Sequence, residues 1–248
     1  MSSKSSNPSK AAARAQKAAE LRAEQERAEK RRRLLMIVGV ATIFVLIVGG
    51  AILVTVLNQE NVEAPDAGQG DYGVSIGDED ADHTVIIYED FLCPICGQLE
   101  SASNEGLTEA AEDGKVFVEY RPIAILTRFG SYSVRSANAF KAVLEASGPE
   151  EAKKFHDLLF EDQPAEDDPD SHYSDDELVE LAVEAGASED DVREDIENLT
   201  YEDWVDDATQ AAIDANVQGT PTIVLDGEQF AEGSSYAEIG ENLVEAVQ

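Results

Sequence analysis

Cys93 and Cys96 are the only two cysteines in this chain of 248 residues, and only Pro94 and Ile95 separate them. Two thiols at this spacing can hold a soft metal, close a small disulfide, or exchange electrons with other thiols. A four-cysteine zinc site has no second pair to draw on. A site of two cysteines and two histidines would need two of His83, His156 and His172, and none of these has the short spacing such sites use. An inert disulfide across so short a loop removes little entropy from the unfolded chain. Redox exchange is the chemistry that suits the pair best.

The flanking residues say what must position these sulfurs. His83 to Tyr88 is β-branched and apolar and predicts a buried strand. Gly97 to Ala111 carries no proline, and Ile95, Leu99 and Ala102 recur at helical spacing. Cys93 then falls at or near the helix N-cap, with Pro94 in the first turn, where its missing N–H has no partner to lose. Unpaired N–H groups and the positive end of the helix dipole favour a thiolate on Cys93. Glu89, Asp90 and Glu100 would oppose that ionisation if they came close to the same sulfur. Lys115 to Tyr120 alternates as a strand does and is expected to end at Arg121-Pro122. Strand, helix and strand of this length predict a right-handed βαβ unit, with Cys93 at the carboxyl end of its strand.

Phe91-Leu92-Cys93-Pro94-Ile95-Cys96-Gly97, preceded by Tyr88-Glu89-Asp90, resembles the active-site turn of the DsbA-like thiol:disulfide oxidoreductases, a branch of the thioredoxin superfamily. Val217-Gln218-Gly219-Thr220-Pro221-Thr222, followed by Ile223-Val224-Leu225-Asp226-Gly227, looks like that superfamily's cis-proline loop and hairpin. The resemblance covers roughly residues 71–248. It implies an α/β thioredoxin fold with an inserted helical subdomain at about 131–216. It also implies Cys93 and Cys96 as the catalytic pair, with Thr220, cis Pro221, Pro94 and Ile95 meeting the substrate. No cofactor or metal is implied. The dipeptide between the cysteines is Pro-Ile, where the most oxidising members have Pro-His, which implies a weaker oxidant.

The helical stretch is also legible without the resemblance. Helices are expected at about 131–147 and 150–161. Ser174-Asp175-Asp176-Glu177 is a capping-box pattern ahead of Leu178, Leu181, Ala182 and Ala185, with Gly186 as a stop. Ser188 begins another helix, and Thr200 a third carrying Trp204, Ala208, Ala211 and Ala215. The acidic loop from Glu161 to Ser171 fits no calcium-loop spacing and reads as solvated. Thr222 to Leu225 and Gln229 to Ala231 form a hairpin around Asp226-Gly227, and Tyr236 to Val247 a closing amphipathic helix.

Charge and hydropathy divide the chain. Residues 1–33 hold ten Lys/Arg against four Glu, whereas residues 58–248 hold eight Lys/Arg against 48 Asp/Glu. Phosphates would be repelled by so acidic a surface, so nucleic-acid binding is not expected. Leu34 to Leu57 is 24 residues without a charge, about 36 Å as a helix, enough to span a membrane. It is too long, and too far from the start, for a cleaved signal. Arg31-Arg32-Arg33 abuts it, which places residues 1–33 in the cytoplasm and the remainder outside.

The expected order is a basic segment (1–33), a transmembrane helix (34–57), a linker (58–71) and a thioredoxin-like domain (72–248) on the outer face, where disulfides persist. Expected partners are exported thiol-containing proteins and a membrane or extracytoplasmic redox partner. Arg121, Arg128 and Arg135 are expected to pair with carboxylates, and the three histidines to be structural or exposed. A reductase or isomerase of the same fold, or a non-catalytic thioredoxin-like binding module, are the other readings of the same residues.

Overall fold

A computed structural model describes residues 72–248, together with Val62 and Gly68. The expected cytoplasmic segment, the expected span at 34–57 and most of the linker lie outside these residues. Among the described residues no helix is long and apolar enough to cross a membrane.

The centre is a mixed sheet of five strands: β1 (Val74–Ile76), β2 (His83–Glu89), β3 (Val116–Pro122), β4 (Thr222–Leu225) and β5 (Glu228–Phe230), in the order β1-β3-β2-β4-β5. β2 runs parallel to β3 and antiparallel to β4, while β1 and β5 close the edges antiparallel. Val85 to Glu89 are all buried, as a strand covered on both faces requires. β3 runs two residues further than the sequence predicts. Pro122 stands opposite Glu89, and the next donor, Ile123 N–H, reaches the Glu89 carbonyl at 2.8 Å. β1 pairs only as far as Tyr120, so the missing N–H of Pro122 leaves no ladder bond broken.

Helix α1 (Pro94–Glu112) joins β2 to β3, with Pro94 in its first turn and Cys93 as N-cap. α7 (Tyr236–Ala246) lies against it, and glycines allow the close approach. A Cβ on Gly106 would lie 2.5 Å from Val244 Cγ1, and one on Gly240 3.0 Å from Ala102 Cβ. Ile239, Leu243 and Val247 face inward, while Val244 is only half-buried.

Between β3 and β4 lie α2 (Tyr132–Ser147), α3 (Pro149–Glu161), α4 (Asp175–Ala185), α5 (Glu189–Glu197) and α6 (Glu202–Asp214). Ser174 and Glu177 form the reciprocal capping box, and Gly186 ends α4 at φ 113°. α6 departs from expectation: its cap position is Tyr201, and its buried side is Val205, Ala208 and Ala212. Trp204 sits half-buried against Phe140. The β4–β5 turn places Asp226 and Gly227 at φ 52° and 83°, the left-handed pair a tight hairpin favours. β5 begins at Glu228, one residue earlier than the sequence suggests.

Candidate active site

The turn after β2 is held by an acid. The buried Asp90 carboxylate accepts from Leu92 N–H at 2.9 Å through one oxygen, and from Ile125 and Leu126 N–H at 2.9 and 3.0 Å through the other. One side chain therefore ties the start of the redox turn to the loop after β3. The Asp90 carbonyl accepts from Cys93 N–H at 2.8 Å.

Both cysteines are thiols, at 5 % and 0 % exposure for Cys93 and Cys96. Pro94 is exposed and Ile95 half-buried. The Cys93 sulfur lies 3.5 Å from the Thr220 carbonyl oxygen, and the Thr220–Pro221 peptide bond is cis. The predicted residues Cys93, Cys96, Pro94, Ile95, Thr220 and Pro221 thus gather at one place.

The sulfurs differ in acidity. A hydrogen bond from the Cys96 thiol is the largest influence on Cys93; burial opposes it, and Thr220 and the N–H groups of Cys96 and Ile95 add to it, lowering Cys93 from 9.0 to about 6. Burial pushes Cys96 well above 9.0, and the thiol–thiolate interaction and the charge of Glu89 push the same way. The carboxylate effect expected at Cys93 therefore falls on Cys96. One sulfur is a thiolate at neutral pH and its neighbour keeps its proton, the asymmetry thiol–disulfide exchange needs.

Two features beyond the reach of the sequence complete the site. Gln163, in the loop after α3, donates its side-chain amide to the carbonyls of Phe91 and Cys93 at 3.0 and 2.9 Å. Gly97 makes room for it, since a Cβ there would lie 2.4 Å from Gln163 Oε1. Both residues line an open cleft of about 580 Å³, with Pro94, Gln98, Phe160 and Glu241, beside the exposed edge of the turn. A neutral residue in an acidic loop 70 residues from Cys93 carries no local signal.

The second feature lies beneath. Glu89, Glu100 and His156 are fully or almost fully buried, and their ligating atoms all lie within 4.8 Å of one another. His156 Nε2 meets Glu89, and His156 Nδ1 meets Asp157 Oδ1 at 2.9 Å. Burial drives the Glu100 carboxyl upward, reinforced by Glu89, whereas the carboxylates beside His156 outweigh its burial and raise it. His83 pairs with Asp226 at the surface, and His172 is half-buried beside Tyr132. The arginines pair with carboxylates: Arg121 with Glu119, Arg128 with Glu166 and Arg135 with Asp175.

A dithiol at the head of a helix, beside a cis-proline at the same end of the neighbouring strand of a mixed sheet, defines the thioredoxin-like class of proteins. Residues 69–245 match the thioredoxin family model, and the chain belongs to that family. Among solved structures it is similar to the reduced disulfide bond oxidoreductase DsbG of Mycobacterium tuberculosis, at 30% identity over 73% of this chain and 89% of that one, with a TM-score of 0.60. It is equally similar in sequence to oxidised DsbA of Mycobacterium tuberculosis, at 30% identity over 71% and 92% of the two chains, with a TM-score of 0.58. Oxidised BdbD of Bacillus subtilis shares the fold, at 22% identity over 76% and 98% and a TM-score of 0.61. A comparison with curated proteins finds no match. The chain is a DsbA-like thiol:disulfide oxidoreductase.

Proposed function

We propose that this oxidoreductase is a membrane-tethered dithiol oxidase that introduces disulfides into exported proteins, with Cys93 as the reacting sulfur and Cys96 as its buried partner. The acidity of Cys93 carries the reading. A thiolate stabilised to about 6 favours the reduced pair, and a stable reduced pair takes electrons from its substrates.

In the oxidised enzyme a substrate thiolate attacks Cys93 Sγ. The Cys93–Cys96 bond breaks, a substrate–Cys93 disulfide forms, and Cys96 leaves as a thiolate. Burial and Glu89 favour the neutral thiol, so Cys96 takes up a proton. A second substrate thiolate attacks the first substrate sulfur, and Cys93 leaves as the stable thiolate. Two electrons pass from the substrate dithiol to the pair. Thr220 and Pro221 lie beside Cys93, where an extended substrate segment pairs with the Thr220 main chain, and Pro94 and Ile95 meet its side chains.

The thiol acidity falls between the roughly 7 of thioredoxin and the roughly 3.5 of the strongest oxidant of this type. The expected potential accordingly lies between about −270 and −120 mV. The uncharged run 34–57 and Arg31-Arg32-Arg33 support an anchored chain with its catalytic domain on the outer face.

Titration of the full chain against glutathione tests direction, and refolding of reduced ribonuclease compared with Cys93→Ala tests activity. A potential near or below that of thioredoxin makes the protein a reductase, and equal refolding by both forms makes it a binding module. Membrane fractionation, with protease digestion from the outer face, tests the location.

A further inference from the structure

We propose that Glu89, Glu100 and His156 bind a divalent transition-metal cation, zinc or manganese, beneath the redox turn. These residues come from three elements, β2, α1 and α3, and are 0 %, 3 % and 0 % exposed. Neither Glu100 oxygen has a hydrogen-bond partner, nor does Glu89 Oε2. The fully buried Tyr120 hydroxyl, within reach of both glutamate charges, is also without one. An orphaned buried polar group is destabilising, and more so when charged, so three unpartnered carboxylate oxygens beside one imidazole call for an occupant.

The charge identifies the occupant as a cation. Two buried carboxylates are strongly destabilising as charges unless compensated. With every group ionised, His156 and Lys153 answer two of the three carboxylates Glu89, Glu100 and Asp157; a dication beside a neutral imidazole and Lys153 answers all three. Two carboxylate oxygens and one imidazole nitrogen suit zinc or manganese, and are too few oxygens for calcium.

The support around His156 is what a ligating histidine needs. His156 Nδ1 lies 2.9 Å from Asp157 Oδ1 and Nε2 meets Glu89, so the tautomer protonated at Nδ1 presents the Nε2 lone pair to the glutamates. Asn104 donates to the same Asp157 oxygen at 2.9 Å, and Lys153 also donates to it. Lys153 is the cation facing the cluster from α3. The rings of Phe91, Tyr120 and Phe160 pack around the imidazole and keep the site dry. Without metal the same lone pairs hold protons, which the cation displaces on binding.

The test uses the full chain with Cys93 and Cys96 oxidised, so that no thiolate ligates, and with excess magnesium to occupy surface acids. After chelator treatment, zinc chloride and manganese chloride are titrated calorimetrically, and melting is followed with each. One ion per chain and a rise in Tm are expected, and calcium chloride should give neither. Glu100→Gln and His156→Gln should lose both effects. Metal-free Glu100→Gln should melt no lower than the metal-free parent, because burial keeps the metal-free Glu100 carboxyl protonated and glutamine matches its size and neutrality, so its loss of binding is not unfolding. Asp157→Asn should weaken binding about 10- to 100-fold. Absence of binding, or unchanged binding in Glu100→Gln and His156→Gln, overturns the proposal and leaves the orphaned oxygens to protons and water.

Discussion

The Cys93 sulfur stands 3.5 Å from the carbonyl oxygen of Thr220, a residue 127 positions away in the chain. The contact brings the dithiol turn and the cis-proline loop together, so an extended chain pairing with Thr220 lies along the reacting sulfur. Cys93→Ser should abolish ribonuclease refolding and insulin reduction. Cys96→Ala, offered a disulfide-bonded substrate, should instead accumulate a substrate–Cys93 disulfide, visible by mass spectrometry, because the Cys93 thiolate opens the substrate disulfide and no neighbouring thiol then displaces the substrate sulfur. Trapping at Cys96 in Cys93→Ala at the same rate would reverse the two roles.

Acidity should separate the sulfurs. Alkylation of Cys93 by iodoacetamide should reach half its maximal rate near pH 6, and Cys96 should stay unreactive past pH 9. A folded value of about 6 lies below the unfolded 9.0, so ionisation of Cys93 stabilises the folded dithiol form. That contribution is complete above about pH 9 and is lost as pH falls through about 6. The Tm of the reduced protein relative to the oxidised should therefore fall from pH 8 to pH 5. A difference independent of pH would contradict the thiolate.

Gln163 joins the loop after α3 to the redox turn through Phe91 and Cys93. Gln163→Ala should cost about 1–3 kcal/mol for two hydrogen bonds, read by urea unfolding. Gly97→Ala should cost a similar amount by another route, since its Cβ would displace the amide. The two losses should not add in the double mutant, because both break the same contact.

Arg121 and Glu119 form a two-bond pair on β3, at 2.9 Å for each bond, with side chains 4 % and 2 % exposed. Arg121 also donates to the Tyr88 hydroxyl at 2.8 Å. Glu119→Ala should cost about 3–5 kcal/mol by removing the carboxylate that makes two hydrogen bonds to a buried guanidinium. Replacing both partners with apolar residues should recover much of that loss. A Glu119→Ala protein with unchanged stability would show the pair to be dispensable.

Local pattern carried the elements. The run Val85 to Tyr88 is continuously apolar because its part of the strand is covered on both faces, and the lack of alternation exposes that. The Ser174–Glu177 box and Gly186 mark the ends of α4 because capping is settled within a few residues. Boundaries were less legible. Thr200 has the right chemistry for a cap, but the chain enters α6 at Tyr201, whose N–H is fixed at 2.8 Å by Asn138 on α2. Tertiary contact outweighs a local preference of about 1 kcal/mol.

By itself the sequence determined that two thiols meet the head of a helix, that Thr220-Pro221 accompanies them, and that an acidic domain follows a basic segment and an uncharged run. The first and last are facts of composition and short spacing, whereas the second is what the family resemblance of Gly219-Thr220-Pro221-Thr222 implies. Only the tertiary structure decided which sulfur feels the carboxylates, that Gln163 holds the turn, and that Glu89, Glu100 and His156 share one buried place. Acidity and ligation depend on distance and burial, and residues far apart in the chain acquire both only when the helices between β3 and β4 fold back over the end of β2.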